Sequence, residues 1–265
     1  MTDILLRNNV NIVGNGPQTI LFAHGFGGDQ NAWRHLSNAL SEQYRVVLFD
    51  FVGCGNSDFS AYSATKYKTL RGYAEDVLDI CQALQLKDAI FVGHSVACMV
   101  GMLAAIESPA YFKRLIFLGP SACYLNDGNY AGGINPSELD ALFEVMDNNY
   151  QGWARAMAPA IMGNADRPEL GEGFANDWIE YDPAIAANFA RATFLSDNRP
   201  YLSMLQVPSL SIICEEDILA TASATQYIAD HTPGNTMVKL NANGHCPHLS
   251  APQEVIKTIK NYLLN

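Results

Sequence analysis

Short apolar runs alternate along this chain with longer stretches in which apolar residues recur every three or four positions. The short runs at 19–23 (TILFA), 44–50 (YRVVLFD), 89–92 (AIFV), 115–118, 207–214 (VPSLSIIC) and 236–240 have the length and content of buried strands. Helical spacing falls between them, over 31–40, 73–86, 96–106, 222–229 and 255–264. Tyr73, Val77, Ile80, Cys81 and Leu84 form one apolar stripe, and Val255, Ile256, Ile259, Tyr262 and Leu263 another. Strand and helix in strict alternation predict a parallel sheet with helices on both faces.

The rhythm breaks near Cys123. From 124 to 196 no strand is expected, and helical segments rich in aromatics and methionines take over. Phe143, Met146, Tyr150, Trp153 and Met157 lie three or four apart, on one helix or on two joined near Asn148-Asn149 and Gly152. A second segment carries Ile185, Phe189, Ala192 and Phe194. The pattern predicts a core of 1–123 and 197–265 interrupted by a helical cap, 124–196. Most of these side chains are expected to pack the cap on the core, and those over an active centre to wall a pocket.

The 265 residues carry 27 acidic and 16 basic side chains, a net charge of −11, which argues against nucleic acid or an anionic membrane as partner. Residues 1–13 hold Asp3, Arg7 and three asparagines where a signal peptide needs an apolar stretch, and 96–106 is too short to span a membrane. Six cysteines without paired spacing read as reduced thiols, so a cytoplasmic location is expected.

The chemistry concentrates where the 89–92 run meets the 96–106 helix, at Gly93-His94-Ser95-Val96-Ala97. A strand ending in Gly-x-Ser and leading straight into a helix is the setting of a nucleophile elbow. Ala97, where the commoner pattern has a second glycine, is still small enough for helix to pass close to strand. Glycines around Phe26, in His24-Gly25-Phe26-Gly27-Gly28, let a backbone N–H turn into a cleft. The N–H groups of Phe26 and Val96 are the candidate oxyanion donors. A phosphate loop fits poorly, because no Gly-x-Gly-x-x-Gly or P-loop lysine is present. A serine needs a base, and the base an orienting acid, in the chain order serine, acid, histidine. Asp217, just past a strand, is preferred over Glu215 and Glu216 as the acid. His245, directly after Gly244, is preferred over His248 as the base, and His94 is expected to make a structural hydrogen bond. The His245-Cys246-Pro247-His248 cluster lacks the further ligands of a zinc site, so no metal is expected.

Five segments, HGFGGDQNAW (24–33), GHSVACMVGMLA (93–104), GPSACYLND (119–127), NYQGWARAMAP (149–159) and GHCPHLSAP (244–252), carry a family resemblance spanning nearly the whole chain. It resembles the small α/β-hydrolase subfamily of the bacterial sigma-B energy-stress regulator and the plant strigolactone and karrikin receptors, and through the cap the bacterial regulator most. The resemblance implies an α/β-hydrolase fold: a mostly parallel sheet flanked by helices, with a four-helix cap, about 124–196, after the sixth strand. It implies a catalytic triad of Ser95, Asp217 and His245, oxyanion donors at Phe26 and Val96, and no cofactor. Pocket walls map to Tyr124, Phe143, Trp153, Met157, Phe194 and Leu219, with Met157 where relatives often carry an aromatic. The implied function is hydrolysis or sensing of a small hydrophobic ester or lactone, as a stress regulator with a sensor-domain protein phosphatase as partner. A plain carboxylesterase or lactonase, and a receptor-like binding module, are the alternatives.

Overall fold

The computed structural model describes residues 3–264. Seven strands form one sheet among them: β1 (Asn11–Val13), β2 (Thr19–Ala23), β3 (Arg45–Leu48), β4 (Ala89–His94), β5 (Phe112–Leu118), β6 (Ser209–Ile213) and β7 (Asn235–Lys239), in spatial order β1-β3-β2-β4-β5-β6-β7. Only β1 is antiparallel, pairing Ile12 with Val47; every other neighbour pair is parallel. In a parallel sheet all strands deliver their C-terminal loops to one rim, which is why residues 150 apart in sequence can meet there.

The helices are α1 (Ile4–Arg7), α2 (Arg34–Leu40), α3 (Leu70–Ala83), α4 (Val96–Glu107), α5 (Pro136–Asn148), α6 (Tyr150–Met162), α7 (Pro168–Ile179), α8 (Pro183–Phe194), α9 (Ala222–His231), α10 (Pro247–Ser250) and α11 (Pro252–Leu264). Because strand side chains alternate between faces, Leu21, Val47, Phe91 and Leu115 pack on one side with Tyr73, Val77 and Ile80 of α3 and Val100 of α4. Ile20, Val46, Ile90 and Ile116 pack on the other with Leu36 and Leu40 of α2 and Val255 and Ile259 of α11. All of these are nearly or fully buried. At roughly 1.5–3 kcal/mol per buried aliphatic side chain, the two layers are the main source of stability.

Two elements were not foreseen at the N-terminus, α1 and β1, both too short for periodicity to register. The chain leaves the core after β5, the fifth described strand, rather than after the sixth, because only the three-residue β1 precedes β2. The aromatic stretch is two helices, α5 and α6. Asn149 separates them (φ −153°), and its side chain accepts from the Gly152 N–H to cap α6. Between α6 and α8 lies α7, which completes the four-helix cap in a stretch where no apolar stripe was singled out, and it proves central to the site. Among the described residues no helix is long and apolar enough to cross a membrane.

Candidate active site

At the end of β4 the chain reverses into α4 on a single residue. Ser95 holds φ 56° and ψ −123°, a region that costs a non-glycine residue of order 1–3 kcal/mol and survives only where the surroundings enforce it. Here they do: the Ser95 N–H donates to the Leu118 carbonyl (2.8 Å), and the Ser95 carbonyl accepts from the Cys98 N–H (2.9 Å). A Cβ at Gly93 would lie 2.8 Å from the Ala97 backbone, so helix and strand are as close as glycine permits. The turn leaves the Ser95 Oγ at the sheet rim, at the N-terminal, positive end of a twelve-residue helix.

His245 reaches the serine from the loop after β7. Gly244 makes the approach possible with φ +85°, and a Cβ there would overlap the Met162 carbonyl oxygen at 1.8 Å. Gly244 N–H donates to the Glu216 carbonyl (2.8 Å), and His245 N–H donates to the Ile161 carbonyl of α6 (2.9 Å), so strand loop and cap helix both hold the histidine's backbone. Its Nε2 lies 2.7 Å from the Ser95 Oγ and its Nδ1 2.8 Å from the Asp217 Oδ2. The other Asp217 oxygen accepts from the N–H groups of Leu219 (2.8 Å) and Ala220 (2.9 Å). Burial works against charge on Asp217, but His245 and these two N–H donors outweigh it and hold the carboxyl below its ordinary value. An ionised acceptor on Nδ1 leaves Nε2 free to accept the serine proton.

The competing candidates stand elsewhere. Glu215 pairs with Lys239 (2.5 Å), and Glu216 is exposed and meets the histidine loop through its backbone. The His248 ring packs 4.8 Å from Trp33 and 4.4 Å from His94. Burial, reinforced by the neighbouring histidines, keeps His248 neutral. His94 does make the structural bond, with its Nε2–H donating to the His245 carbonyl (2.8 Å). Burial and the nearby His245 push the His94 pKa down to about 3, so no second positive charge competes beside the base. Among the described residues no cluster of His, Cys, Asp or Glu is arranged to hold a metal.

The N–H groups of Phe26 and Val96 find no acceptor among the described residues, whereas those of Gly28, Ser95 and Cys98 in the same turns do. Val96 opens α4, where a free N–H is expected. Phe26 lies in a turn closed by Gly28 N–H to Gly25 carbonyl (3.3 Å). The side chains at 25 and 27 must be absent: a Cβ on Gly25 would sit 2.5 Å from His94 Nδ1, and one on Gly27 1.8 Å from Trp178 Nε1.

A small cavity opens over Ser95. Tyr124, Phe194 and Leu219 line it as the resemblance implies, together with the Phe26 ring. The Tyr124 hydroxyl is 3.5 Å from the Ser95 Oγ, and burial raises its pKa, so it stays a proton donor. Phe143, Trp153 and Met157 are not among the walls. Trp153 lies one layer back, stacked on Trp178 at 4.9 Å with an edge-to-face contact to Phe26. Phe143 carries the Arg191 guanidinium on its ring face at 4.8 Å, locking α5 to α8. Met157 packs, half-buried, against the core cluster. The displacement comes from α7, whose Phe174 and Trp178 take the wall positions, with Ile161 and Thr193 beside them. A spacing of Leu170, Phe174 and Trp178 at every fourth residue was the available signal, obscured by Gly171 and Gly173.

The family model described as "Alpha/beta hydrolase family" matches residues 20–258. The chain belongs to the alpha/beta hydrolase family. It is 36% identical over 262 residues to a strigolactone esterase of Arabidopsis thaliana, covering 98% of each chain. It is 35% identical over 257 residues to a karrikin insensitive 2 receptor of Petunia hybrida, covering 97% of this chain and 95% of that one. A solved hydrolase structure from Oleispira antarctica superposes with a TM-score of 0.97 at 36% identity, covering 99% of this chain and 97% of the other. These likenesses carry the plant side of the expected resemblance and not its tie to the bacterial stress regulator.

Proposed function

We propose that this alpha/beta hydrolase cleaves a small, uncharged ester or lactone through an acyl-enzyme on Ser95. The observation that carries the reading is the unbroken chain from Ser95 Oγ to His245 Nε2 (2.7 Å) and from His245 Nδ1 to Asp217 Oδ2 (2.8 Å). As the Oγ attacks the substrate carbonyl, its proton passes to Nε2, and the imidazolium that forms faces the ionised Asp217. The carbonyl oxygen gains the negative charge and is met by the N–H groups of Phe26 and Val96. His245 then returns the proton to the departing alkoxide, and water repeats the sequence to free the acid. Substrate size follows from the smallness of the cavity and its aromatic walls, and neutrality from the absence of Lys or Arg among them.

A fluorophosphonate probe tests the reading: it should label the wild type and leave Ser95→Ala unlabelled, and labelling that survives the substitution overturns it. Aryl acetate or butyrate should be cleaved faster than palmitoyl or anionic esters.

A receptor-like reading is favoured by one finding, that the similar proteins include one named a receptor as well as one named an esterase. It differs in expecting binding with weak turnover in place of steady hydrolysis, which the turnover of short esters separates. The narrower proposal is a stress regulator acting with a sensor-domain phosphatase, supported by the resemblance in 119–127 and 149–159. A change on the exposed cap face, such as Val145→Asp (Val145 is 53% exposed), should then abolish recovery of the phosphatase while ester hydrolysis persists. The proposal includes a cytoplasmic setting, supported by six buried cysteines without a disulfide.

A further inference from the structure

Away from the serine, the cap and core meet again where α8 ends and the chain returns toward β6. A groove runs along this seam, roomier than the cavity over Ser95. Its core side is the start of α3, with Lys68, Arg71 and the buried Leu70, and its floor is Leu103 of α4. Its cap side is the last turns of α8 and the residues after them, with Arg191, Ala192 and Leu195.

The lining is cationic in a chain whose net charge is −11. Three of its side chains are basic and one, Asp197, is acidic, and Arg199 already holds Asp197 (2.7 Å). Arg191 is likewise engaged by Asp147 (2.6 Å). Lys68 and Arg71 are different: among the described residues neither has a carboxylate within salt-bridge distance, although acids outnumber bases in the chain. Arg71 is not loose, because its guanidinium lies over the Tyr201 ring at 5.2 Å, held at the groove's edge with its N–H donors unspent on any acid. Beside these cations stands apolar surface. Leu195 is 56% exposed, and Leu103 and Leu70 form the floor. Two unpaired cations at one side of an apolar trough complement a molecule with one anionic head and a short apolar body.

We propose that this seam is a second ligand site that takes a small amphiphilic anion, a carboxylate or phosphate monoester with a short alkyl or aryl body, its head on Lys68 and Arg71 and its body along Leu103 and Leu195. Such a ligand touches core and cap at once. It contacts α8 at Ala192 and Leu195, while Thr193 and Phe194 of the same turn wall the cavity over Ser95. The groove and the reaction cavity are therefore the two sides of one helix end.

Calorimetry on the full chain, with octanoate and octyl phosphate as probes and octanol as the neutral control, tests this. Binding is expected for at least one anion, weaker at high salt, and at most weak for octanol. Lys68→Ala/Arg71→Ala, both exposed positions, should weaken anion binding roughly tenfold or more, the loss associated with charge-assisted contacts. Preference for octanoate or for octyl phosphate assigns the head group, and either supports the site. A saturating anion should also raise the melting temperature of the wild type and not of the double variant. Octanoate could instead lodge over Ser95, so each titration is repeated after fluorophosphonate modification of that residue. Binding that survives modification and is lost in the double variant supports the seam. Binding abolished by modification, unchanged in the double variant, or absent for both anions overturns it.

Discussion

The rim of the sheet and the cap above it use their residues in opposite ways. At the rim each side chain has one permitted place: Ser95 on a strained turn (φ 56°), His245 held through backbone bonds to Glu216 and Ile161, Asp217 held by two N–H groups. In the cap the aromatic side chains form overlapping layers, Phe26 on Trp178 (5.1 Å), Trp178 on Trp153 (4.9 Å), Trp153 on Tyr150 (5.8 Å). Phe26 and Trp178 meet the cavity over Ser95, and Trp153 and Tyr150 do not. Reactivity is thus set by backbone geometry that tolerates no exchange, and selectivity by packing, in which one large ring can stand for another.

The largest test of that contrast is at the rim. His245→Ala should lower kcat/KM for a short aryl ester by on the order of 10⁴ or more, with the melting temperature little changed. His248→Ala, three residues on, should do the reverse. It removes a buried ring packed on Trp33, costing roughly 2–4 kcal/mol of stability by analogy with other large-to-small core changes, while kcat/KM stays within about tenfold. Steady-state kinetics beside thermal melts separates the two, and a swapped pattern would mean that His248 is the base.

The next largest effect lies in the cap. Trp178→Leu should enlarge the cavity over Ser95 and shift preference toward longer acyl chains by roughly tenfold, about what one or two methylenes of pocket space are worth. Trp153→Leu, in the layer behind, should cost stability with a smaller change in chain-length preference. Equal selectivity changes in both variants would erase the distinction between inner and outer layer.

A separate effect is in acid stability, where Asp217 and His94 act in the same direction. The Asp217 carboxyl is depressed in the fold, so its stabilisation is complete above the ordinary value of 3.8 and is lost as pH falls through its lower native value. His94 titrates at about 3 in the fold against 6.5 for the free side chain. Between those values the unfolded chain binds a proton that the folded one refuses, so stability declines as pH drops through that interval. His94→Gln, able to keep a donor near the His245 carbonyl, should flatten the melting-temperature curve over that window, measured from about pH 7 to about pH 4, while retaining measurable turnover.

What the chain determines by itself is the alternation of strand and helix, the Gly-x-Ser turn, and the order of serine, acid and histidine. Each of these is local: a run of apolar residues, a glycine before a serine, an acid or histidine at a strand's end. A parallel sheet converts that linear order into proximity, because all its strands end on one rim, and the Ser95, Asp217 and His245 contacts follow. Which aromatic rings face the serine is not local. Trp153 and Trp178 are both buried, large and helical, and nothing in either one's own neighbourhood says which is nearer the nucleophile. Gly27 decides part of it: with no Cβ to block the indole, Trp178 closes against the Phe26 turn and takes the wall position that Trp153 was expected to hold. Helix-on-helix packing in the cap, between α6 and α7, decides the rest, since burial rewards any ring that fills the space and only the assembled structure selects which one does.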